Sequence, residues 1–151
     1  ESLAILEYLD EIAGGHRLFP GTAQERARLW RLVREDEEHL DGKGLTPIYD
    51  ELYKKAEGVA PDEARLEAGR KKLREELDYF GRELRGAFLA GGAPSAADFV
   101  LYPDVAYVKR IALKKPQSKL EGILPPPIAQ WAARIEALPY FEKTFPPHWR
   151  S

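Results

Sequence analysis

Residues 89–111 have the sequence LAGGAPSAADFVLYPDVAYVKRI, and this stretch decides the fold class. From Phe99 to Ile111, apolar side chains occupy nearly all sides of a helical wheel. A helix that is apolar on most sides is one that other elements bury. The stretch therefore predicts a central helix over about residues 96–113, with a glycine-rich loop leading into it.

Two polar residues at the start of this helix have the spacing of a cap. The hydroxyl of Ser95 can accept a hydrogen bond from the backbone of Asp98, whose carboxylate can reach back to the N–H of Ser95. These bonds satisfy backbone donors that water cannot reach in a buried helix, and a carboxylate there suits the helix dipole. Ser95 and Asp98 are therefore interpreted as a structural capping box and not as catalytic groups.

Helical spacing of apolar residues continues on both sides of this stretch, and alternating patterns typical of strands are lacking. Thr22 and Glu25 have the spacing of a second capping box, and Gly14-Gly15 is expected to end the first helix. The expected helices span about residues 2–13, 22–41, 46–58, 61–88, 96–113 and 128–137, with a short turn after Pro139. The sequence predicts an all-α helical bundle.

The composition excludes several classes of function. The 151 residues include 23 basic and 25 acidic side chains, a net charge of −2, which lacks the basic excess that phosphate binding needs. Without Cys, this segment has no disulfide, no thiolate metal ligand and no cysteine nucleophile. No apolar run approaches the roughly 20 residues of a membrane span. We expect a cytoplasmic protein that binds neither nucleic acid nor membrane.

The sequence contains no Met and opens within a helical pattern, where Glu1-Ser2 is followed directly by apolar residues. The simplest explanation is that residues have been lost upstream. We therefore interpret the chain as the C-terminal part of a longer protein.

Four motifs, in order along the chain, resemble the glutathione S-transferase family of bacterial type. They are the start Glu1, Ser2, Ala4, Ile5, Tyr8 and Leu9; the segment Leu18-Phe19-Pro20 followed by Arg26-Ala27; Leu89-Ala90-Gly91-Gly92 before Ser95–Asp98; and Trp131 with Leu138-Pro139-Tyr140-Phe141. The resemblance implies that residues 1–15 are the last helix of a thioredoxin-like domain whose remainder is absent. Residues 16–21 would then be the interdomain linker, and residues 22–151 the C-terminal helical domain.

The same resemblance implies the activity of the intact protein, the conjugation of glutathione to electrophilic small molecules. In the family a Tyr, Ser or Cys near the true N-terminus stabilises the glutathione thiolate, which is the nucleophile. That residue is not in this sequence, so the fragment alone is expected to be inactive. Glutathione is the expected co-substrate, no metal is expected, and the intact protein is expected to be a homodimer.

Glu1 and Ser2 match the family's glutathione site. The resemblance implies that the pair holds the γ-glutamyl end of glutathione, and a helix N-terminus with a hydroxyl suits a carboxylate. The alternative is purely structural. Ser2 then caps its helix, and Glu1 favours the helix dipole.

The second predicted helix contains the remaining candidates. Asp36 falls on the apolar stripe of Leu29, Val33 and Leu40, where burial of an acid is costly unless it faces a partner or a cleft. In the family this helix lines the acceptor-substrate pocket and the dimer interface, a role open to Trp30, Glu35 or Asp36. Alternatively, the stripe reaches solvent in its last turns. Glu35 and His39 have the spacing of a metal pair, but a charged, solvated face explains them better.

A function of another class stays open. Helical domains of this type also serve as non-catalytic protein-interaction modules. A Ser, Tyr or Cys in the first βα turn of the upstream sequence would favour the enzyme.

Overall fold

The computed structural model describes residues 1–14 and 17–149. Gly15, His16, Arg150 and Ser151 lie outside the described residues, so the predicted boundary between residues 15 and 16 does too. The described residues form helices joined by turns and loops, with no β-strand among them. The predicted all-α fold is confirmed.

Seven α-helices follow one another along the described chain. They are α1 (Ser2–Ile12), α2 (Ala23–Glu35), α3 (Thr46–Tyr49), α4 (Glu63–Glu83), α5 (Ala96–Lys114), α6 (Pro126–Glu136) and α7 (Phe141–Thr144). Two π-helical segments, Asp36–Leu45 and Asp50–Lys54, and two 3₁₀ turns, Pro116–Ser118 and Pro147–Trp149, complete the order. None of the described helices is long and apolar enough to cross a membrane.

Helix α1 has one face on the domain and one face in solvent. Leu3 and Leu6 pack against the core, and the buried Asp10 accepts hydrogen bonds of 3.0 Å from the backbone N–H groups of Arg17 and Leu18. The opposite face is apolar but exposed, and consists of Ile5, Tyr8, Leu9 and Ile12. The N-cap is Glu1, so the prediction that Ser2 caps this helix is wrong. Ser2 is the first helical residue.

Helix α2 begins as predicted, because Thr22 and Glu25 form a capping box. It does not end near Gly42. The helical path continues from Ala23 to Lys54 through both π-helical segments and α3. Thr46, predicted to cap a separate helix, instead lies inside this path and donates its hydroxyl to Asp41 Oδ1 at 3.1 Å.

Glycines allow this long helical path to cross α4 closely. A Cβ atom on Gly69 would lie 2.9 Å from the carbonyl oxygen of Gly44 and 2.8 Å from the side chain of Ile48. A Cβ atom on Gly44 would lie 2.9 Å from the side chain of Leu73. Both contacts are closer than packed atoms tolerate, so the crossing requires glycine at the two positions.

Helix α4 ends at Glu83, five residues before the predicted end, because the chain becomes extended at Leu84. The loop that follows returns to the core, where Phe88 and Leu89 are buried. Arg28 anchors this loop by donating to the carbonyl oxygen of Leu89 at 2.9 Å. Arg134 donates to the carbonyl oxygen of Ala87 at 2.8 Å.

Helix α5 is the centre of the bundle, and its first turn is held by one carboxylate. Asp98 is fully buried, and its Oδ2 atom accepts from the N–H of Ser95 at 2.8 Å and from the Ser95 hydroxyl at 2.7 Å. Its Oδ1 atom accepts from the N–H of Leu89 at 2.9 Å and from Trp131 Nε1 at 2.8 Å. Asp98 thereby joins α5, the preceding loop and α6.

Candidate functional site

An aromatic pocket of about 370 Å³ lies between α5 and the C-terminal turns. Phe99, Pro103 and Ala106 form its wall on α5. The opposite wall comes from the C-terminal segment and includes Phe141, Phe145 and Trp149. A concave surface of this size and apolar character suits a small apolar or aromatic ligand.

A second pocket of about 240 Å³ lies between α5 and the helical path through α3. We call it the acidic pocket; it is lined by Asp41, Leu45, Thr46, Tyr49, Asp104 and Tyr107. The rings of Tyr107 and Trp149 stack with their centroids 5.8 Å apart. Because Trp149 lines the aromatic pocket and Tyr107 lines the acidic pocket, this stacked pair forms a wall common to both.

Asp36, on the stripe that the sequence analysis singled out, lies next to Asp104, one of the residues that line the acidic pocket. Its side chain is 1% exposed, and neither carboxylate oxygen has a hydrogen-bond partner among the described residues. It faces the carboxyl group of Asp104. Burial, and then the charge of Asp104, raise the pKa of Asp36 well above its usual value, since both favour the neutral acid.

The pKa of Asp104 is raised as well, although its side chain is less deeply buried than that of Asp36. Burial, and then the negative charges of Asp41 and Glu37, raise its pKa to about 6, although its contact with Asp36 acts in the opposite direction. Two neighbouring carboxyl groups in a site with little water do not both ionise readily. Asp36 and Asp104 therefore form an acid pair that holds a proton up to a pH well above the usual range of Asp.

The C-terminal segment is fixed over α5 by Arg110. Its guanidinium lies over the ring of Trp149, 5.1 Å from the centroid, and donates to the Trp149 carbonyl oxygen at 3.1 Å. Farther along the aromatic pocket, the hydroxyl of Tyr102 donates to Glu136 at 3.1 Å. Burial and the charge of Glu136 raise the pKa of Tyr102, so this phenol stays protonated at neutral pH.

Comparison with known proteins identifies the family. Residues 63–134 match the family model for the C-terminal domain of glutathione S-transferases. A probable maleylacetoacetate isomerase of Vibrio cholerae is 30% identical over 152 residues, an alignment that covers 97% of this chain and 65% of that protein. The match of the family model assigns residues 63–134 to the C-terminal domain of the glutathione S-transferase family.

Solved structures agree with this assignment. A glutathione S-transferase from Rhodospirillum rubrum is 26% identical with a TM-score of 0.75, covering 99% of this chain and 70% of that one. FzlA from C. crescentus is 26% identical with a TM-score of 0.73, and the superposition covers 93% of this chain and 61% of FzlA. Poplar glutathione transferase F1, at 22% identity and a TM-score of 0.71 (95% and 65% coverage), shares the fold. The chain thus spans between 61% and 70% of the length of these proteins.

The glutathione residues implied by the resemblance lie at the exposed N-terminal end of α1. Both Glu1 and Ser2 are exposed, and neither side chain makes a hydrogen bond to another described residue. The backbone N–H groups of the first helical turn point out of this end, as in any α-helix. Glu1 and Ser2 are therefore accessible to a ligand, at the end of the helix that favours an anion.

The three candidates on the second helix do not converge on one place. Trp30 stacks on Phe19 with centroids 4.8 Å apart, facing α1. Glu35 lies on the outer face, 3.8 Å from Arg31 and 3.7 Å from His39. Asp36 alone approaches α5, and its burial shows that the stripe is still covered by protein at this position.

Sequence reasoning missed the other residues of the acidic pocket. Asp104 is the one charged side chain between Phe99 and Val108 in a helix that is otherwise apolar there, and this isolation was an available signal. The sequence contains no comparable signal for Tyr49 and Tyr107, because tyrosine on a helix is ordinarily a packing residue. No group of three or more His, Asp or Glu side chains among the described residues is arranged to hold a metal ion.

Proposed function

We propose that this chain is the helical part of a cytoplasmic, homodimeric glutathione transferase that conjugates glutathione to electrophilic small molecules. Residues 22–151 would be its C-terminal domain, residues 16–21 the linker, and residues 1–15 the last helix of a thioredoxin-like domain. The observation that carries the proposal is the aromatic pocket on α5, a cavity of substrate size in a member of this family.

The exposed face of α1 supports the proposed domain boundary. Ile5, Tyr8, Leu9 and Ile12 are between 49% and 64% exposed, on a helix whose other side packs on the core. Contiguous apolar surface of this kind is usually covered by another element. A thioredoxin-like domain preceding Glu1 would cover it.

In the proposed reaction, the sulfur of the glutathione thiolate attacks an electrophilic carbon of the acceptor. The new carbon–sulfur bond forms as the bond from that carbon to a leaving group breaks, and the leaving group departs with the electron pair, so the product is a thioether. The residue that stabilises the thiolate would come from the thioredoxin-like domain. Glu1 and Ser2 would hold the γ-glutamyl end, Glu1 by pairing with its ammonium group and Ser2 by donating to its carboxylate. The aromatic pocket would position the acceptor and keep water away from the reacting atoms.

The alternative is a non-catalytic interaction module, in which a protein partner covers the exposed face of α1. It is favoured by the size of that face. Glutathione binding separates the two functions, because only the transferase requires it.

The proposal predicts the effect of Ser2→Ala in the protein extended through its upstream reading frame. This substitution removes a hydrogen bond to a charged carboxylate, so glutathione should bind about 5- to 150-fold more weakly, equivalent to about 1–3 kcal/mol. Isothermal titration calorimetry measures the change. Glu7→Ala, on the exposed surface of the same helix, is the matched control and should leave the affinity unchanged. Equal affinities for the wild type and Ser2→Ala would contradict the assigned role.

A further inference from the structure

A tyrosine in the α5 wall of the aromatic pocket donates its only hydroxyl proton to another protein group. Tyr102 lines the pocket, and its hydroxyl donates to Glu136 Oε1 at 3.1 Å. The same carboxylate oxygen accepts from Lys109 Nζ at 2.5 Å, so the charge of Glu136 is compensated. Because the raised pKa of Tyr102 keeps the phenol protonated at neutral pH, its oxygen offers a ligand only lone pairs that accept hydrogen bonds.

A proline creates a second hydrogen-bond acceptor in the same wall. Pro103 lies inside α5 and has no N–H, so the carbonyl oxygen of Phe99 lacks the donor that the helical pattern would supply. Phe99 and Pro103 are four positions apart and therefore share one face of the helix, and both line the aromatic pocket. The carbonyl group that Pro103 leaves without its donor thus lies on the pocket side of α5.

The donors of the opposite wall are largely engaged within that wall. The hydroxyl of Thr144 donates to the carbonyl oxygen of Phe141 at 2.8 Å. The backbone N–H groups of Phe145 and Trp149 donate to carbonyl oxygens of the same segment. The hydroxyl of Tyr140 and the indole N–H of Trp149 make no hydrogen bond to another described residue, but both side chains are partly exposed, so water competes with a ligand for them.

This distribution favours a ligand that donates a hydrogen bond to the α5 wall. A hydroxyl or N–H group there meets the oxygen of Tyr102 and the carbonyl oxygen of Phe99. An ether or carbonyl oxygen at the same place leaves water without gaining a donor, and a polar group buried without a partner weakens binding. A site built to accept a hydrogen bond from its ligand therefore rejects the analogue that lacks the donor.

We propose that the aromatic pocket selects neutral aromatic ligands that carry a hydroxyl or N–H donor, and that Tyr102 is the main determinant of this specificity. The inference rests on the proposed function, since the ligand is then the electrophilic acceptor of the transferase. Its donor bonds to the phenol oxygen of Tyr102, with the carbonyl oxygen of Phe99 as a second acceptor. Its ring packs against the apolar side chains of both walls.

Two matched probes test this selection. They are 2-naphthol, a neutral donor, and 2-methoxynaphthalene, which has the same rings and no donor. Titration of each into the protein without glutathione, followed by quenching of tryptophan fluorescence, should show about tenfold tighter binding of 2-naphthol. Tyr102→Phe should lower this ratio to about threefold or less by weakening the binding of 2-naphthol alone. Tyr8→Phe removes an exposed phenol on α1 and should leave the ratio unchanged.

Two further variants separate a role in specificity from a role in packing. Glu136→Ala frees the proton of Tyr102, so the phenol can donate to the ether oxygen, and 2-methoxynaphthalene should bind about threefold more tightly than to the wild type. Pro103→Ala supplies an N–H for the carbonyl oxygen of Phe99 and should lower the ratio, as Tyr102→Phe does. Damage to the packing of the pocket would instead weaken both probes in every variant.

Equal binding of the two probes to the wild type, or an unchanged ratio in Tyr102→Phe, would overturn the proposal. A protein that binds neither probe would overturn it as well. Because the titrations omit glutathione, their failure leaves the transferase proposal to be decided by glutathione binding. Conversely, a protein that selects 2-naphthol and does not bind glutathione would lose the transferase assignment and keep the specificity of the pocket.

Discussion

Replacing Asp98 with Ala is expected to lower the free energy of unfolding by about 3–5 kcal/mol, measured by urea denaturation. The substitution leaves four buried donors without an acceptor: the N–H groups of Leu89 and Ser95, the hydroxyl of Ser95 and the Nε1 of Trp131. Each buried donor without a partner costs about 1–3 kcal/mol. Domains of this size are stable by about 5–15 kcal/mol, so the variant should fold only marginally.

Asp62→Ala is the matched control for this prediction. Asp62 is also an N-cap, of α4, and accepts from the N–H groups of Ala64 and Arg65, but it is exposed and water can replace it. Its loss should cost about 1 kcal/mol, the usual value for a surface cap. Equal costs for the two substitutions would show that the Asp98 network has no importance beyond ordinary capping.

Replacing Asp104 with Asn is expected to stabilise the domain at pH 7 by about 1–3 kcal/mol. The pKa of Asp104 is about 6 in the folded protein against 3.8 for an unperturbed Asp. The folded state therefore holds its proton to a higher pH than the unfolded state does. Ionisation at neutral pH then opposes folding, by up to about 3 kcal/mol for a difference of this size.

The sign of this effect gives a specific pH dependence. Between pH 4 and 6 the unfolded state binds fewer protons at Asp104 than the folded state, so the contribution of this residue falls as the pH rises. Glu51 and Glu63 are salt-bridged acids whose pKa is lowered, so their contribution to stability rises with pH. They therefore partly conceal the falling contribution of Asp104 in the total stability. The informative quantity is therefore the difference in unfolding free energy between Asp104→Asn and the wild type at each pH.

The unfolding free energy of Asp104→Asn should differ little from that of the wild type near pH 4. It should exceed that of the wild type by an increasing amount as the pH rises to 7. The exposed Asp78→Asn substitution removes the same formal charge without burial, and its difference should change much less over this range. A flat difference for Asp104→Asn would mean that Asp36 and Asp104 do not form an acid pair. Stabilisation on removal of a group is typical of a site kept for function and not for folding.

The features that sequence predicted well are those set by neighbouring residues. The capping box at Thr22 and Glu25 depends on a spacing of three residues and on local hydrogen bonds, and the structure confirms it. The buried helix after Ser95 was predicted within one residue at its end, because its apolar surface left no alternative to the centre of the bundle.

Helix ends set by tertiary packing were predicted less well. The sequence predicted a stop near Asp41-Gly42 and a new helix beginning at Thr46-Pro47. In the folded domain the absence of a Cβ on Gly44 instead allows the close approach of Leu73 and Gly69, so packing against α4 continues the helix. The early end of α4 has the same kind of cause, since Arg28 and Arg134 hold the following loop against the core.

The acidic pocket could be predicted only in part. The periodicity of α2 placed Asp36 on a buried stripe, yet no local rule states which residue the stripe meets. Its neighbour Asp104 is 68 positions away, and the two meet only because α2 packs against α5. The proposal that Glu1 and Ser2 bind glutathione came from the family resemblance, and their physical environment alone is that of an ordinary helix start.

The most direct test of the account is a calorimetric titration of glutathione into two forms of the protein, residues 1–151 and the product of the full upstream reading frame. Of the proposed glutathione site, residues 1–151 contain Glu1 and Ser2, so we expect any binding to be millimolar or weaker, about −4 kcal/mol or less favourable, and below detection. The longer protein should bind glutathione with a dissociation constant in the micromolar-to-millimolar range. A longer protein that gives no binding signal would contradict the transferase assignment and leave the interaction module in its place.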